Sequence, residues 1–146
     1  MSDLVANTVL PRMTYREQEL GKALVLETLK HEEAEIPIEH FIHAGVYVRT
    51  CFLKKGTIGA GAFIKIPTVV IVQGKCLVVV GDTLESIDGY KVLRGLDGRR
   101  QVFRAIEDTY ITMLFATKSS TVEDAEKEFT DEWKLLTTRR DELCQA

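Results

Sequence analysis

The stretch IKIPTVVIVQGKCLVVV, residues 64–80, is the densest β-branched run in the chain and decides its fold class. Val and Ile restrict their own side-chain torsions and fit a pleated sheet better than a helix. Ile64 to Val72 reads as one strand, Gln73-Gly74-Lys75 as a turn, and Cys76 to Val80 as the returning strand. The same grammar extends in both directions. Upstream, Gly45 to Leu53 is a strand that ends at Lys54-Lys55-Gly56. Downstream, Gly81-Asp82 is a turn, Ile87 to Leu93 contains the hairpin signal Asp88-Gly89, and Leu96-Asp97-Gly98 repeats it. Val102 to Ile106 and Thr109 to Ala116 complete a set of seven or so short strands. With no long helix between them, they predict an antiparallel sandwich or barrel and exclude a doubly wound α/β sheet.

Helical periodicity flanks this β unit. From Thr14 to about Glu33, Leu20, Ala23, Leu24 and Leu29 recur at three- and four-residue steps, with Thr14 and Glu17 in capping-box spacing. Pro37 closes that zone. From Ser120, a second capping-box pattern with Glu123 opens a stripe of Val122, Ala125, Phe129, Trp133 and Leu136. Glu126, Lys127, Asp131 and Lys134 are assigned to its polar side. The domain reading is a helical arm and connector over 1–44, a β domain over 45–117 and a C-terminal amphipathic helix over 118–146, all in one globular unit.

The 146 residues carry 19 basic and 22 acidic side chains, a net charge of −3 that argues against coating duplex nucleic acid. That sum conceals a segregation. Residues 1–45 hold four basic and eight acidic groups, residues 46–117 ten and six, and residues 118–146 five and eight. A basic middle therefore lies between acidic ends. No apolar run reaches the ~18 residues of a membrane span. The opening MSDLVANTVLPRM lacks the pattern of a secretory leader. Cys51, Cys76 and Cys144 have no CxxC spacing and fit a reducing compartment, so a cytoplasmic protein is expected, the first two cysteines serving as core filler.

Catalytic patterns are missing. His31, His40 and His43 all precede the β zone, and no HExxH, HxH or CxxC occurs. His40 and His43 with Glu39 could form a metal corner, but a site needs three or four convergent ligands, and a solvent-facing pair in a connector is the better reading. Gly56, Gly59 and Gly61 in KKGTIGAGAF match no phosphate-binding loop and suit a sharp turn or a close strand approach. The remaining signal is electrostatic. Tyr90–Arg104 holds Lys91, Arg94, Arg99, Arg100 and Arg104 against the single acid Asp97. Guanidinium groups suit bidentate capture of phosphate or carboxylate. The other reading is a solvated basic edge that discourages edge-to-edge pairing.

The segment order resembles a group of small cupin-like proteins of tailed bacteriophages and prophages. The resemblance rests on ALVLETLKHEEAEIPIEHFIHAGVYVRTCFLKKGTIGAG (23–61), GRRQVFRAIEDTYITMLFAT (98–117) and STVEDAEKEF (120–129). It implies a mainly β fold, a cupin-like jelly roll or double-stranded β-helix, with an N-terminal and a C-terminal α-helix. The family's metal-ligand histidines are missing here. Its first motif reads Ala62-Phe63-Ile64-Lys65-Ile66-Pro67-Thr68, Ile106 stands where histidine precedes Glu-Asp-Thr, and Phe115 occupies the last strand where a polar ligand would sit. An alkyl or phenyl group cannot coordinate a transition metal.

Three functions remain open. The first is a non-catalytic, metal-free module without a cofactor, in which Lys65, Arg94, Arg99, Arg100 and Arg104 hold a small anionic ligand such as a nucleotide or sugar phosphate. In a phage setting it would sequester a host defence signal in the host cytoplasm. The second is a structural or assembly protein, virion-associated or free, that forms a homodimer or higher homo-oligomer through the Phe129–Trp133–Leu136 stripe and its segregated charge. The third is a cupin-type isomerase or lyase using Glu107, Asp108 and Tyr110, although Glu107-Asp108 also suits a turn-stabilising pair.

Overall fold

The computed structural model describes residues 9–28, 36–80 and 83–136. Eight strands form: β1 (Val9–Leu10), β2 (Ile38–His43), β3 (Val46–Leu53), β4 (Ile58–Ala60), β5 (Thr68–Val80), β6 (Thr83–Gly95), β7 (Val102–Ala105) and β8 (Thr109–Ala116). Helix α1 (Tyr15–Thr28) lies between β1 and β2, and α2 (Val122–Phe129) follows β8. The predicted turn at Gly81-Asp82, together with His31 and Cys144, lies outside the described residues.

The architecture hangs on one long hairpin. β5 pairs antiparallel with β6 over its whole length, from Thr68↔Gly95 to Val80↔Thr83. On its other side the first half of β5 pairs with β8 (Val69↔Leu114 to Gln73↔Tyr110), and the second half with β7 (Cys76↔Ala105 to Val78↔Phe103). The larger arm continues through β3 to β2, and the smaller from β7 to β4. Inward side chains of both arms meet in one cluster that includes Leu53, Val72, Cys76, Val78, Leu93, Phe103 and Ile111. This is the predicted mainly β jelly roll with flanking helices.

Two predicted turns are corrected. Gln73-Gly74-Lys75 and Asp88-Gly89 are mid-strand, and Gly74 pairs with Gly89 across the hairpin. Both adopt positive φ, 143° and 94°, which lets the strands bend from one arm to the other without ending. A Cβ on Gly74 would stand 2.5 Å from Thr109 Oγ1 and 2.6 Å from the Asp108 carbonyl, so the approach of the β7–β8 turn requires glycine there. Gly signals a special backbone angle, and a bend uses that angle as readily as a reversal does. By contrast, the turns at Lys54-Lys55-Gly56 and Leu96-Asp97-Gly98 are real, with Gly56 and Gly98 at φ 85° and 75°.

The sheet also reaches further upstream than residues 45–117. β2, predicted as a connector, pairs with β3 through a two-residue turn at Ala44-Gly45, both at positive φ. β1 adds a parallel pairing to β6 at Val9↔Arg94. Ile64–Pro67, predicted as strand, precedes β5 and touches the sheet only at an isolated Ile64↔Arg99 bridge.

The helices depart from their predicted bounds. Thr14 and Glu17 form the expected capping box: Thr14 N–H donates to Glu17 Oε1 at 2.9 Å and Glu17 N–H to Thr14 Oγ1 at 3.2 Å. Those bonds hold the Glu17 carboxyl below its usual range. Leu20 and Ala23, however, are exposed, while the Leu24 side chain and Leu29 lie outside the described residues. The C-terminal helix starts one residue later than expected, capped by Thr121 rather than Ser120. It ends at Phe129, because Thr130 is extended (φ −151°), and the apolar stripe is completed by a 3₁₀ turn, Trp133–Leu135. Val122, Ala125, Phe129, Trp133 and Leu136 pack on Tyr47, Met113 and Phe115 within the protomer. Glu126, assigned to the polar side, is fully buried. It lies only about 40° around the helix from Val122, inside the stripe.

Candidate functional site

A cavity of about 310 Å³ opens on the β1–β6 flank of the barrel. Four core side chains, Leu10, Val78, Ile87 and Leu93, face it, and Val9, Pro11 and Val80 extend the apolar wall. Its polar groups are Glu85, Ser86 and Lys91. Alternation along β6 sets this composition: Glu85, Ile87, Lys91 and Leu93 are two apart on either side of the Gly89 bend and share the inner face. The bend folds that face into a concavity, and β1 closes its edge.

The N-terminal arm is tied down beside the cavity. Arg12 donates to Asp97 at 2.7 Å, and Met13 N–H to the Gly98 carbonyl at 2.8 Å. The Arg12 hydrogen bond holds the Asp97 carboxyl below its usual range. Lys91 is half-buried and, among the described residues, makes no hydrogen bond or ion pair.

The five cations predicted to bind an anion are not gathered at this cavity or at any one place. Arg94 and Arg104 are exposed and alternate with buried Leu93, Phe103 and Ala105, so they face outward from the two arms. Lys65 Nζ donates to Asp131 at 2.6 Å. Arg100 is buried and donates to Glu132 Oε2 at 2.5 Å and to the Gly61 carbonyl at 3.1 Å. Arg99 is fully enclosed, with its guanidinium on the Leu96 carbonyl and Thr68 Oγ1, each at 2.5 Å. Burial pushes Arg99 down to about 10. Gly95 makes this possible, because a Cβ there would overlap the guanidinium. Arg99 and Arg100 thus fasten loops, a role that spacing alone could not separate from ligand capture.

A second polar group lies on the opposite flank, at β2 and β3. His40 Nδ1 is 3.0 Å from Tyr47 Oη, and Arg49 Nη1 donates to Tyr47 Oη at 3.3 Å and to Glu126 Oε2 at 3.4 Å. Tyr47 stacks on Phe129 and leans on Phe115, and α2 roofs the whole. His40 and His43 fall on opposite faces of β2, since three residues is an odd step on a strand. Among the described residues, no three His, Cys, Asp or Glu side chains stand together where they could hold a metal ion. Phe115 is buried between rings, and Ile64 and Ile66 pack on the same cluster.

The predicted acid–base residues face outward. Asp108 accepts from Lys55 N–H at 2.9 Å, the turn-stabilising role, while Glu107 and Tyr110 are exposed. Sequence reading missed Glu85 and β1, and it placed Lys91 in the basic cluster without assigning it to the ligand site. The two-residue phase from Glu85 to Leu93 was present, but reading Asp88-Gly89 as a reversal interrupted it. No helix among the described residues is long and apolar enough to cross a membrane.

No protein-family model matches the chain, and no curated protein matches it in sequence. Among solved structures it is similar to a cupin superfamily protein from Desulfitobacterium hafniense, at 11% identity over 60% of this chain and 83% of that one, TM-score 0.49. A cupin domain of an XRE family transcriptional regulator from Enterobacter cloacae aligns at 8% identity over 59% of this chain and 100% of that one, TM-score 0.48. A cupin domain from Rhodospirillum rubrum aligns at 14% identity over 62% and 69%, TM-score 0.46.

Proposed function

We propose that the protein is a metal-free, non-catalytic cupin-like binding module whose ligand is a small molecule with an apolar body and one anionic group. The observation that carries this reading is Lys91, a half-buried ammonium without a side-chain partner among the described residues, on an otherwise mostly apolar cavity wall. A volume of about 310 Å³ is at the small end of ligand pockets, which run from about 300 to 1,000 Å³. Desolvation raises the value of a single well-placed charge, so a carboxylate or phosphate at Lys91 would orient the ligand while the body displaces water from Leu10, Ile87 and Leu93.

The metal-free part of the reading is supported by the donor chemistry. Ile64, Ile66, Ile106 and Phe115, at the positions named for the family motifs, offer no lone pair. The resemblance at Gly98–Thr117 supports placing the module among the small cupin-like phage proteins.

Thermal shift and calorimetry with matched pairs test the reading: hexanoate against hexanol, and phenyl phosphate against benzyl alcohol. The anionic member of each pair is expected to raise Tm, with Lys91→Ala and the cavity-filling Ile87→Phe abolishing the shift and Arg94→Ala leaving it intact. Equal shifts from charged and neutral members, or a Lys91→Ala protein that binds as well as wild type, would sink it.

A further inference from the structure

The outer face of the larger arm is mostly apolar, with an apolar side chain on each of five strands. In register, Phe41, Val48, Leu114, Val69 and Arg94 form one row across β2, β3, β8, β5 and β6. Glu39, Thr50, Thr112, Ile71 and Val92 form the next, and a third ends in Tyr110, Gln73 and Tyr90. Val69, Val92, Phe41 and Tyr110 are 39%, 48%, 50% and 53% exposed, so no described element covers the face. Strands about 4.8 Å apart and rows about 7 Å apart give a footprint of roughly 500 Å². Isolated exposed apolar residues are ordinary, but a contiguous patch of this size marks a contact surface.

Charge selects the occupant. Within the three rows the only charged side chains are Glu39 on β2 and Arg94 on β6, on the two outermost of these five strands and with opposite sign. A two-fold axis parallel to the strands lays β8 on the same strand of another copy and sets β2 against β6. Each Glu39 then lies over the partner's Val92, one row from the partner's Arg94 and about 7 Å along the strand, so an opposite charge stands diagonally across from it at each of the two edges. An axis across the strands would stack Glu39 on Glu39. Two opposed faces remove about 1,000 Å² in total, the threshold for a specific interface, and aligned sheet packing accommodates them.

We propose that this sheet face seats a second copy of the chain, face to face about a two-fold axis parallel to the strands, with Glu39 diagonally across from the partner's Arg94. The contact is independent of the ligand reading, because it uses side chains that point away from the cavity. It also differs from pairing through the Phe129–Trp133–Leu136 stripe, which is packed within the protomer.

Sedimentation velocity of the full chain from 1 to 100 µM tests it. A dimer is expected, with Val69→Glu and Val92→Glu each raising the dissociation constant at least tenfold while near-ultraviolet circular dichroism keeps the native signal. Should either acidic variant fail to fold, Val92→Ser gives the same test with a smaller shift. Glu39→Arg and Arg94→Glu should each weaken the dimer about tenfold, and the double swap should restore it. A monomer at 100 µM overturns the proposal. So does a dimer indifferent to Val69→Glu and Val92→Glu but lost in Leu20→Glu, which places the contact on α1. Single swaps that the double does not rescue overturn the two-fold arrangement. Ligand shifts retained by a monomeric Val92→Glu protein would show that the two proposals stand or fall separately.

Discussion

On the β2–β3–β8 flank of the barrel, Tyr47, Phe115 and Phe129 pack ring against ring beneath α2, at centroid separations of 5.3 to 6.0 Å. On the β1–β6 flank the same inward alternation leaves Leu10, Ile87 and Leu93 facing a cavity. The strands are equivalent in kind; what differs is the cover. α2 brings a phenyl ring and a carboxylate into the first flank, whereas β1 brings only two residues and Pro11 to the second. One flank is therefore close-packed, and the other keeps an open cavity.

The largest test of this contrast is Phe129→Ala. Removing a fully buried ring should cost about 3–5 kcal/mol in urea unfolding, with the residual void at the α2 flank. A loss near 1 kcal/mol would mean the flank is not close-packed. Next is the ion pair beneath the ring. Glu126→Ala leaves Arg49 without its carboxylate and should cost about 3 kcal/mol, Glu126→Gln distinctly less, because the amide still accepts a hydrogen bond. Equal losses would mean that packing, not charge, fixes α2.

The third test is pH-dependent and lies under the open flank. Burial pushes the Cys76 thiol up to about 11, above its ordinary value of 9.0. A raised folded pKa stabilises fully below the unfolded value and is lost as pH climbs through the folded one. Stability should therefore fall between about pH 9 and pH 11 in wild type and fall less in Cys76→Ala. Iodoacetamide should leave native Cys76 unmodified at pH 8. The smallest effect compares two enlargements directly. Ile87→Phe, which can grow into the cavity, should cost under about 1.5 kcal/mol, and Met113→Phe, which cannot, about 1–3 kcal/mol. Reversed costs would erase the distinction between the flanks.

Much of this was legible because alternation and turn chemistry are local. The strands Val46–Leu53, Val102–Ala105 and Thr109–Ala116 follow from β-branched periodicity, and the α2 stripe from its three- and four-residue steps. Gly74 and Gly89 were misread because sequence reveals that an unusual backbone angle is needed, not which way the chain then goes. The dispersal of the basic cluster was illegible for a different reason. Whether an arginine serves a ligand or the protein depends on acceptors far along the chain: Thr68 for Arg99, Glu132 for Arg100. Part of the charge segregation is used within the chain. Arg49–Glu126, Lys65–Asp131 and Arg100–Glu132 join the basic middle to the acidic C-terminal segment inside one protomer.

The bent hairpin of β5 and β6 also orders assembly in time. Its two strands are adjacent in the chain, so closing it needs only a short loop, and such hairpins form in about 1–10 µs. β3 and β8 are separated by more than fifty residues, and their pairing must wait for a costly closure. A preformed hairpin offers one edge to β8 and, past Gly74, another to β7, so it shortens the search for both arms at once. Refolding rates should then respond strongly to Gly89→Ala and weakly to Val48→Ala, since the first alters the template and the second a strand that joins it late.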